Sequence, residues 1–336
     1  MNEYQSGGII MEQRHTRTGR KRRRRLRPFR TLFAFLFVAF IGIGLYSVWQ
    51  YNEGKELAKG EKPDSGPFRG DPADARQPYI ENYLLLGIDD DGSGRSRSDS
   101  MMLASWNRQS GDLKLVSLMR DIYADIPGYK SYKLNTAYYL GGVQLAKDTV
   151  SGMFGVPIHH YAVTDFDNFE KLIDIAAPNG VTIDVEKPMS EKIGVSLEQG
   201  TQNLNGKELL GYARFRADSE GDFGRVARQQ KALAALKDEV VSPATLPRLP
   251  KMAGAATGYV ETDIGGTEGL GKVLRAALTG GVHIERMTIP AEGTYSFGSY
   301  PHAGSVIEID LPANREALGK FLGVSLNEHS AAAFAD

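Results

Sequence analysis

The sequence predicts an α/β (α+β) fold: a central mixed sheet flanked by helices in an α/β/α sandwich, preceded by one transmembrane helix. Three observations predict it. From residue 80 onward, apolar runs of strand length alternate with segments of helical periodicity. The composition, 41 % hydrophobic and 24 % charged over 336 residues, supplies core for one large domain or two small ones. The stretch 31–49, TLFAFLFVAFIGIGLYSVW, carries no charge and is about long enough to cross a hydrocarbon core of roughly 30 Å as a helix.

Residues 1–30 form a basic segment. Ten of the 40 Lys/Arg and two of the 41 Asp/Glu fall within residues 1–50, so that region carries +8 and the remainder −9. The span at 31–50 has Tyr46 and Trp49 where an interfacial aromatic belt would lie. The positive-inside rule places the N-terminus in the cytoplasm and the C-terminal domain outside the cell membrane, on a single pass. A nucleic-acid arm is the competing reading of the basic run, but the adjacent apolar span favours juxtamembrane electrostatics. A cleaved signal peptide is the competing reading of the span. No small-x-small site follows Leu45, and the basic region is long for a signal, so a retained signal-anchor is expected. An acidic domain also argues against nucleic acid as a partner, because the phosphate backbone rewards positive surface. The absence of cysteine excludes disulfides, thiolate metal sites and a cysteine nucleophile.

Residues 51–79, rich in Gly, Pro and charge, read as a linker that lifts the domain off the bilayer. The extracellular domain is set at 80–326 and a flexible tail at 327–336. Within the domain, 83–88 (YLLLGI) reads as a buried strand. Residues 100–106 and 113–118 read as two more, joined by a turn at 107–111 as a hairpin. Helical periodicity covers 135–154 and 166–175, and 181–185 is a strand. Residues 206–212 and 224–240 are expected helices, the second starting near Asp222 or Gly224. Beyond 243 come two helices, a strand at 284–289, a Gly/Tyr/Ser-rich loop and a final helix near 314–322.

Four clusters carry chemistry. Residues 87–99 (GIDDDGSGRSRSD) follow one strand and lead into the next. Asp89 and Asp99 at the adjacent strand ends could share a hard cation through oxygens. A solvated acidic turn is the alternative. A calcium loop is not, because Ser100 stands where a bidentate Glu is needed. Next is Met119-Arg120-Asp121 at the end of the following strand, which would emerge beside the first cluster; a surface ion pair is the alternative. Then comes Lys133-Leu134-Asn135 before a long helix, where Asn135 reads as an N-cap. The fourth is Arg214-Phe215-Arg216 with 222–230 (DFGRVARQQ). Arg214 and Arg216 share a face if extended, and Arg225, Arg228 and Gln229 share a helix face. Arginine forks gathered in an acidic domain suit phosphate oxygens; salt bridges to the domain's own carboxylates are the alternative. Cation site plus arginines is the toolkit of phosphoryl transfer. No P-loop, GxGxxG, GxSxG or HExxH motif points to nucleotide, a serine nucleophile or zinc.

At these residues the chain resembles the LytR-CpsA-Psr family of cell-envelope proteins. The resemblance runs over about 80–240: 82–89 (NYLLLGID), 97–102 (RSDSMM), Arg120-Asp121, 133–138 (KLNTAY), Gly141-Gly142, Leu204-Asn205-Gly206, Arg214-Phe215-Arg216 and 222–230. Two positions depart from it: Met119 stands where the family has Pro, and Pro178-Asn179-Gly180-Val181 where it has Gly-Gly-Val. The resemblance implies a transferase that moves an anionic glycopolymer of teichoic acid or capsule type from undecaprenyl pyrophosphate, a polyprenyl lipid, to a muramic-acid hydroxyl of peptidoglycan. It implies Asp89 and Asp99 as carboxylates linked to Mg2+, with Mn2+ as substitute. It implies Arg97, Arg120, Arg214, Arg216, Arg225, Arg228 and Gln229 as pyrophosphate contacts, and an apolar tunnel for the lipid. The expected catalytic set is Arg120 with Asp99 or Asp121 as proton acceptor. Two further readings stand beside it: a polyprenyl pyrophosphate phosphatase, and a non-enzymatic regulator of envelope or transcription.

Overall fold

Strand β1 (Ile80–Ile88) decides the architecture. Its side chains alternate between two faces. Leu84, Leu86 and Ile88 are buried in one apolar core, while Leu85 and Gly87 face a cavity on the other side. The computed structural model that shows this describes residues 28–59, 62–75, 77–89, 96–240, 242, 244–266, 268–269, 271–272, 283–324 and 326, with side chains from residue 36 onward. The expected basic segment, but for 28–30, and the expected tail at 327–336 lie outside the described residues.

The first helix, α1 (Pro28–Leu57), opens the described chain. After it, β1 pairs antiparallel with β2 (Ser98–Asn107), which pairs antiparallel with β3 (Leu113–Leu118). The short ladder β4 (Tyr123–Ala124) and β5 (Tyr132–Lys133) leads to helix α2 (Thr136–Phe154). Strand β6 (His160–Asp165) runs parallel to β1, and α3 (Phe166–Ala176) follows at once. Hairpin β7 (Val181–Val185) and β8 (Gly200–Leu204) precedes α4 (Gly206–Arg214), α5 (Gly221–Val240) and α6 (Leu249–Tyr259). Strand β9 (Glu261–Thr262) pairs with β6, and β10 (Ile284–Ile289) runs parallel to β3. Hairpin β11 (Tyr295–Tyr300) and β12 (Gly304–Ile309) and helix α7 (Leu311–Leu322) close the fold. The mixed sheet has the order β10-β3-β2-β1-β6-β9. One face packs on α2 and α7. A second core, including Ile183, Leu204, Leu209 and Tyr212, holds α3, α4 and α5 against the β7–β8 hairpin. The α/β sandwich is as the sequence predicts.

Two family motifs prove to be backbone devices. Asn205 and Glu208 form a reciprocal capping box on α4, satisfying two orphan amides at the helix start. A Cβ on Gly206 would stand 2.1 Å from the Glu170 carbonyl oxygen. The second device lies inside α2, where Gly141 and Gly142 leave helical geometry and Gly142 takes φ 64°, ψ −157°, a region open essentially to glycine alone. The kink frees the Val143 amide to donate to the Ser65 carbonyl at 3.2 Å.

That contact belongs to a segment expected to be a free tether. Helix α1 instead continues to Leu57, and residues 65–72 lie on the domain. Asp71 is buried, pairs with buried Lys147 and accepts the Ile158 amide at 2.8 Å. The described residues fall into two compact units, divided between Leu45 and Tyr46. Within the second, α1 meets α6 at close range: a Cβ on Gly254 would be 2.0 Å from the Tyr51 carbonyl oxygen, and Lys251 bonds Glu53 at 2.6 Å. The Gly/Pro/charge composition of 51–79 could not reveal these contacts because their partners lie far along the chain. Among the described residues no helix is long and apolar enough to cross a membrane; the side chains of 31–35, the start of the expected span, lie outside them.

Gly142→Ala is expected to cost about 1–3 kcal/mol from the strained backbone alone. The new Cβ would also sit 2.4 Å from the Ser65 oxygen. A thermal melt lower by several degrees checks it, and an unchanged melt would show that the kink is not required.

Candidate active site

The register of β1 and β2 builds a polar-to-apolar gradient. Leu85 pairs with Met102 and Gly87 with Ser100, and all four line one cavity. Asp89 follows β1, and Asp99 stands near the start of β2. At about 3.3 Å per residue, Leu85 lies roughly 13 Å along the strand from Asp89. The charged residues therefore sit at one end of the sheet and the apolar ones deeper. Phe166 and Phe169 on α3, Leu209 on α4, and Leu233 and Leu236 on α5 complete the apolar wall of a cavity of about 630 Å³.

Arg120 is the centre of the charged end. It follows β3, is largely buried, and its Nη1 donates to Asp99 Oδ1 at 2.5 Å. Its Nε lies 3.6 Å from Asp121 and 3.5 Å from Asp222 without a hydrogen bond to either. Burial alone would lower its pKa, but Asp99, Asp222 and Asp121 outweigh this and raise it, so the guanidinium stays charged. Arg225, on the first turns of α5, is buried and pairs with Asp222 at 3.4 Å. Its Nε is also buried without a partner. Burial, and then the charge of Arg120, push its pKa down. Two guanidinium groups, each with a buried and unused Nε donor, feel one another's charge at the cavity wall. Such an arrangement favours an anion between them.

Arg214 and Arg216 line the same cavity from the end of α4. Arg214 lies 4.4 Å over the Phe166 ring and 3.8 Å from Asp89. Gln229 lines it too, accepting from Ser100 Oγ at 3.3 Å. Asp89, Asp99, Arg120, Arg214, Arg216, Arg225 and Gln229 are therefore brought together.

Three expected residues stand elsewhere. Arg228 does not line the cavity. It is buried, donates to the Phe215 carbonyl at 3.0 Å and pairs with Asp218, clamping the turn between α4 and α5. Arg97 and Asp121 line a second, polar cleft of about 220 Å³ with Lys133, Asn135 and Thr136. The two cavities share only Asp99 and Arg120. Burial raises the Asp121 carboxyl, but the Lys133 hydrogen bond and the Arg120 charge outweigh this and hold it below the ordinary carboxylate value. Asn135 makes no cap on α2, whose N-cap backbone is already helical; the side chain is buried at the cleft instead.

The sequence reading left the apolar wall unassigned. A signal existed on α5: Arg225, Gln229, Ala232, Leu233 and Leu236 follow helical spacing and change from charged to apolar along one stripe. Tyr132 and Ala303, which also line the second cleft, carried none.

Asp89 and Asp99 offer hard oxygen donors in one cavity. Among the described residues no group of three or more His, Cys, Asp or Glu could hold a metal ion by itself. Magnesium is commonly held by one or two carboxylates with substrate phosphates and water completing the shell, and this donor set fits that pattern.

A family model described as LytR_cpsA_psr family matches residues 50–314. The regulatory protein MsrR of Staphylococcus aureus strain COL is 43 % identical over 284 residues, 83 % of this chain and 85 % of MsrR. The polyisoprenyl-teichoic acid–peptidoglycan teichoic acid transferase TagV of Bacillus subtilis strain 168 is 33 % identical over 267 residues, 74 % of this chain and 66 % of TagV. The crystal structure of B. subtilis TagV matches with TM-score 0.62 and 30 % identity, covering 73 % of this chain and 98 % of that one. TagT bound to LIIa-WTA matches with TM-score 0.58 and 26 % identity, covering 80 % and 98 %.

The two neighbouring arginines of α5 should separate experimentally. Arg228→Met should lower stability by roughly 3 kcal/mol, since it strips a buried pair of one partner. Arg225→Met should leave the melting temperature unchanged or higher. Equal losses in chemical denaturation would contradict the assignment. Asp121→Asn gives a pH signature. A lowered folded pKa contributes stability above the ordinary value, about 3.9, that is lost as pH falls through the folded value. The variant should melt earlier at pH 7, and the gap to wild type should narrow below about pH 4.

Proposed function

The chain belongs to the LytR-CpsA-Psr family, and on that premise we propose that it is a membrane-anchored transferase moving an anionic glycopolymer from a polyprenyl diphosphate carrier to peptidoglycan. One observation carries the reading. Two guanidinium groups with buried, unused Nε donors, Arg120 and Arg225, stand at the charged end of an apolar cavity. A polyprenyl diphosphate has this division: an apolar chain joined to a compact, highly charged head. The relatives' names support the polymer and the acceptor, since TagV is a teichoic acid transferase to peptidoglycan and TagT is seen with LIIa-WTA.

The chemistry follows from charge. Arg120, Arg225, Arg214 and Arg216 bind the diphosphate oxygens and stabilise the charge that develops as the bridging P–O bond lengthens. Asp89 and Asp99 would hold Mg2+ or Mn2+, which supplies further neutralisation of the phosphate oxygens. The acceptor hydroxyl oxygen forms a bond to the polymer-side phosphorus. The bond from that phosphorus to the bridging oxygen breaks, and polyprenyl phosphate leaves with the electron pair. The hydroxyl proton passes to a carboxylate, Asp99 or Asp121. The basic segment and apolar span at 1–50 would hold the N-terminus in the cytoplasm and the domain outside, on the surface where such a lipid resides.

The name of MsrR favours a second reading, in which the protein acts as a regulator without catalysis. A charge-neutral site variant separates the two. Arg120→Ala should reduce polymer transfer by about 10²–10³-fold in a reconstituted assay with lipid-linked donor and peptidoglycan, at unchanged secondary structure. Chelation of divalent metal should lower wild-type transfer, and Mg2+ or Mn2+ should restore it. Full transfer by Arg120→Ala would remove the residue from the mechanism. Normal envelope phenotype with a transfer-dead variant would favour the regulator.

A further inference from the structure

The polar cleft beside the cavity is lined mainly by charged and polar side chains and offers no apolar wall for a lipid chain. We propose that it is the subsite for the acceptor sugar, and that Tyr132 of β5, the aromatic side chain lining it among the described residues, seats the sugar ring there. The proposal rests on the transferase reading and names where its second substrate binds.

In-line displacement carries the first part. The attacking and leaving oxygens stand on opposite sides of the phosphorus. The leaving group is polyprenyl phosphate, whose chain occupies the apolar cavity. The nucleophile must therefore approach the charged end from outside that cavity. Asp99 and Arg120 are the only residues that both cavities share among the described residues, so the cleft opens on the same charged centre by a separate route. Its volume, about 220 Å³, suits a single sugar ring rather than a polymer or a lipid chain.

The lining carries the second part. A pyranose presents hydroxyl and amide groups at its rim and C–H groups on its faces. Asp121, Lys133 and Asn135 supply hydrogen-bonding partners for the rim. The C–H faces suit aromatic rings, whose faces are apolar and partly negative. Tyr132 lines the cleft and meets the exposed His302 ring edge-on at 5.8 Å. His302 Nε2 lies 3.1 Å from the Ser131 carbonyl and 3.3 Å from the Tyr123 hydroxyl, and Tyr123 stacks on Tyr300 at 4.5 Å. Tyr132 packs one side against the core yet stays half-buried at the cleft, and His302 is exposed beside it. The β11–β12 hairpin is fixed to the chemistry as well: the Ile307 amide of β12 donates to the Asp121 carbonyl at 2.9 Å. Attack from this cleft forms the phosphorus–oxygen bond of the product while the proton reaches Asp99 or Asp121, both of which line it.

The test uses the full-length protein in detergent with lipid-linked donor and a soluble, uncrosslinked peptidoglycan oligomer. Tyr132→Ala should raise the acceptor KM about tenfold, with donor KM within twofold, and Tyr132→Phe should restore it. His302→Ala, altering an exposed side chain, should move the same parameter if Tyr132→Ala folds poorly. An unchanged acceptor KM in both variants overturns the proposal. So does a rise in donor KM instead, which would assign the cleft to the polymer's own first sugar. Calorimetric binding of the oligomer without donor judges the cleft independently of turnover. If wild type transfers nothing, the transferase reading falls; oligomer binding that Tyr132→Ala leaves intact overturns the subsite alone.

Discussion

The ion pair between Arg120 and Asp99 is the constraint on which the site depends. It joins the end of β3 to the start of β2 at the boundary between an apolar cavity and a polar cleft. A partly buried pair of this kind stabilises little by itself, because desolvation offsets most of the attraction. What it does is fix position. Arg120 cannot satisfy Asp99, Asp121 and Asp222 together with one guanidinium, and its Nε is left without a hydrogen bond. Arg225 repeats the pattern one helix away. Around this centre Arg97, Lys133, Arg214 and Arg216 outnumber the carboxylates Asp89, Asp99, Asp121 and Asp222 once Arg120 and Arg225 are counted with them. An arrangement with a surplus of cations around two buried, unused Nε donors is complemented by a polyanion.

Helix α5 shows how finely position divides these roles. Successive residues turn by about 100°, so Gln229 lies about 40° to one side of Arg225 and Arg228 about 60° to the other. Both fall on the broad face that sequence spacing assigns to Arg225, and spacing alone does not say which flank meets the cavity. The loop before the helix decides it. Asp218 and the Phe215 carbonyl capture Arg228, while Arg225 and Gln229 are left on the cavity side. Gln230, in the same motif, turns elsewhere again: its Nε2 donates to Ser117 Oγ at 2.9 Å and the Met287 carbonyl at 3.1 Å, holding α5 to the ends of β3 and β10. A single run, 222–230, thus contains a cavity-facing stripe, a clamp and a strut.

The parts of the fold legible in the sequence are those written in local periodicity. Strands β1 to β3 and helices α2 and α5 follow from apolar spacing and turn residues, and the charged motifs are brought together because they sit at the ends of those elements. What was illegible depends on distant partners. Residues 295–300, YSFGSY, read as a loop because glycine and serine interrupt the aromatics. They form a strand because β12 pairs with them, Tyr300 stacks on Tyr123, and Tyr295 stacks on Phe223. Asn135 had the composition of a cap, yet the backbone before α2 is already helical and leaves its side chain nothing to cap. Leu204-Asn205-Gly206 was read only as family motif, and its role is the capping box and a close approach to Glu170.

The same non-local logic bears on how the cavity is carried. The last turns of α1 pack on α6 through contacts that only small residues permit, with Gly254 against the Tyr51 carbonyl and Gly258 against that of Ala58. Tyr259, at the end of α6, donates to the Leu57 carbonyl at 2.9 Å, and the next residue, Val260, lines the cavity. The chain leaving the apolar N-terminal stretch is thus bonded to the wall of the cavity rather than joined to it by a free tether. A flexible linker of the same length would leave residues 51–59 sampling many conformations, at an entropic cost each time they ordered. Close packing of these residues on α6 removes that freedom in advance, and the glycines at the α1–α6 contact thereby hold Val260, and the part of the cavity wall it forms, in place.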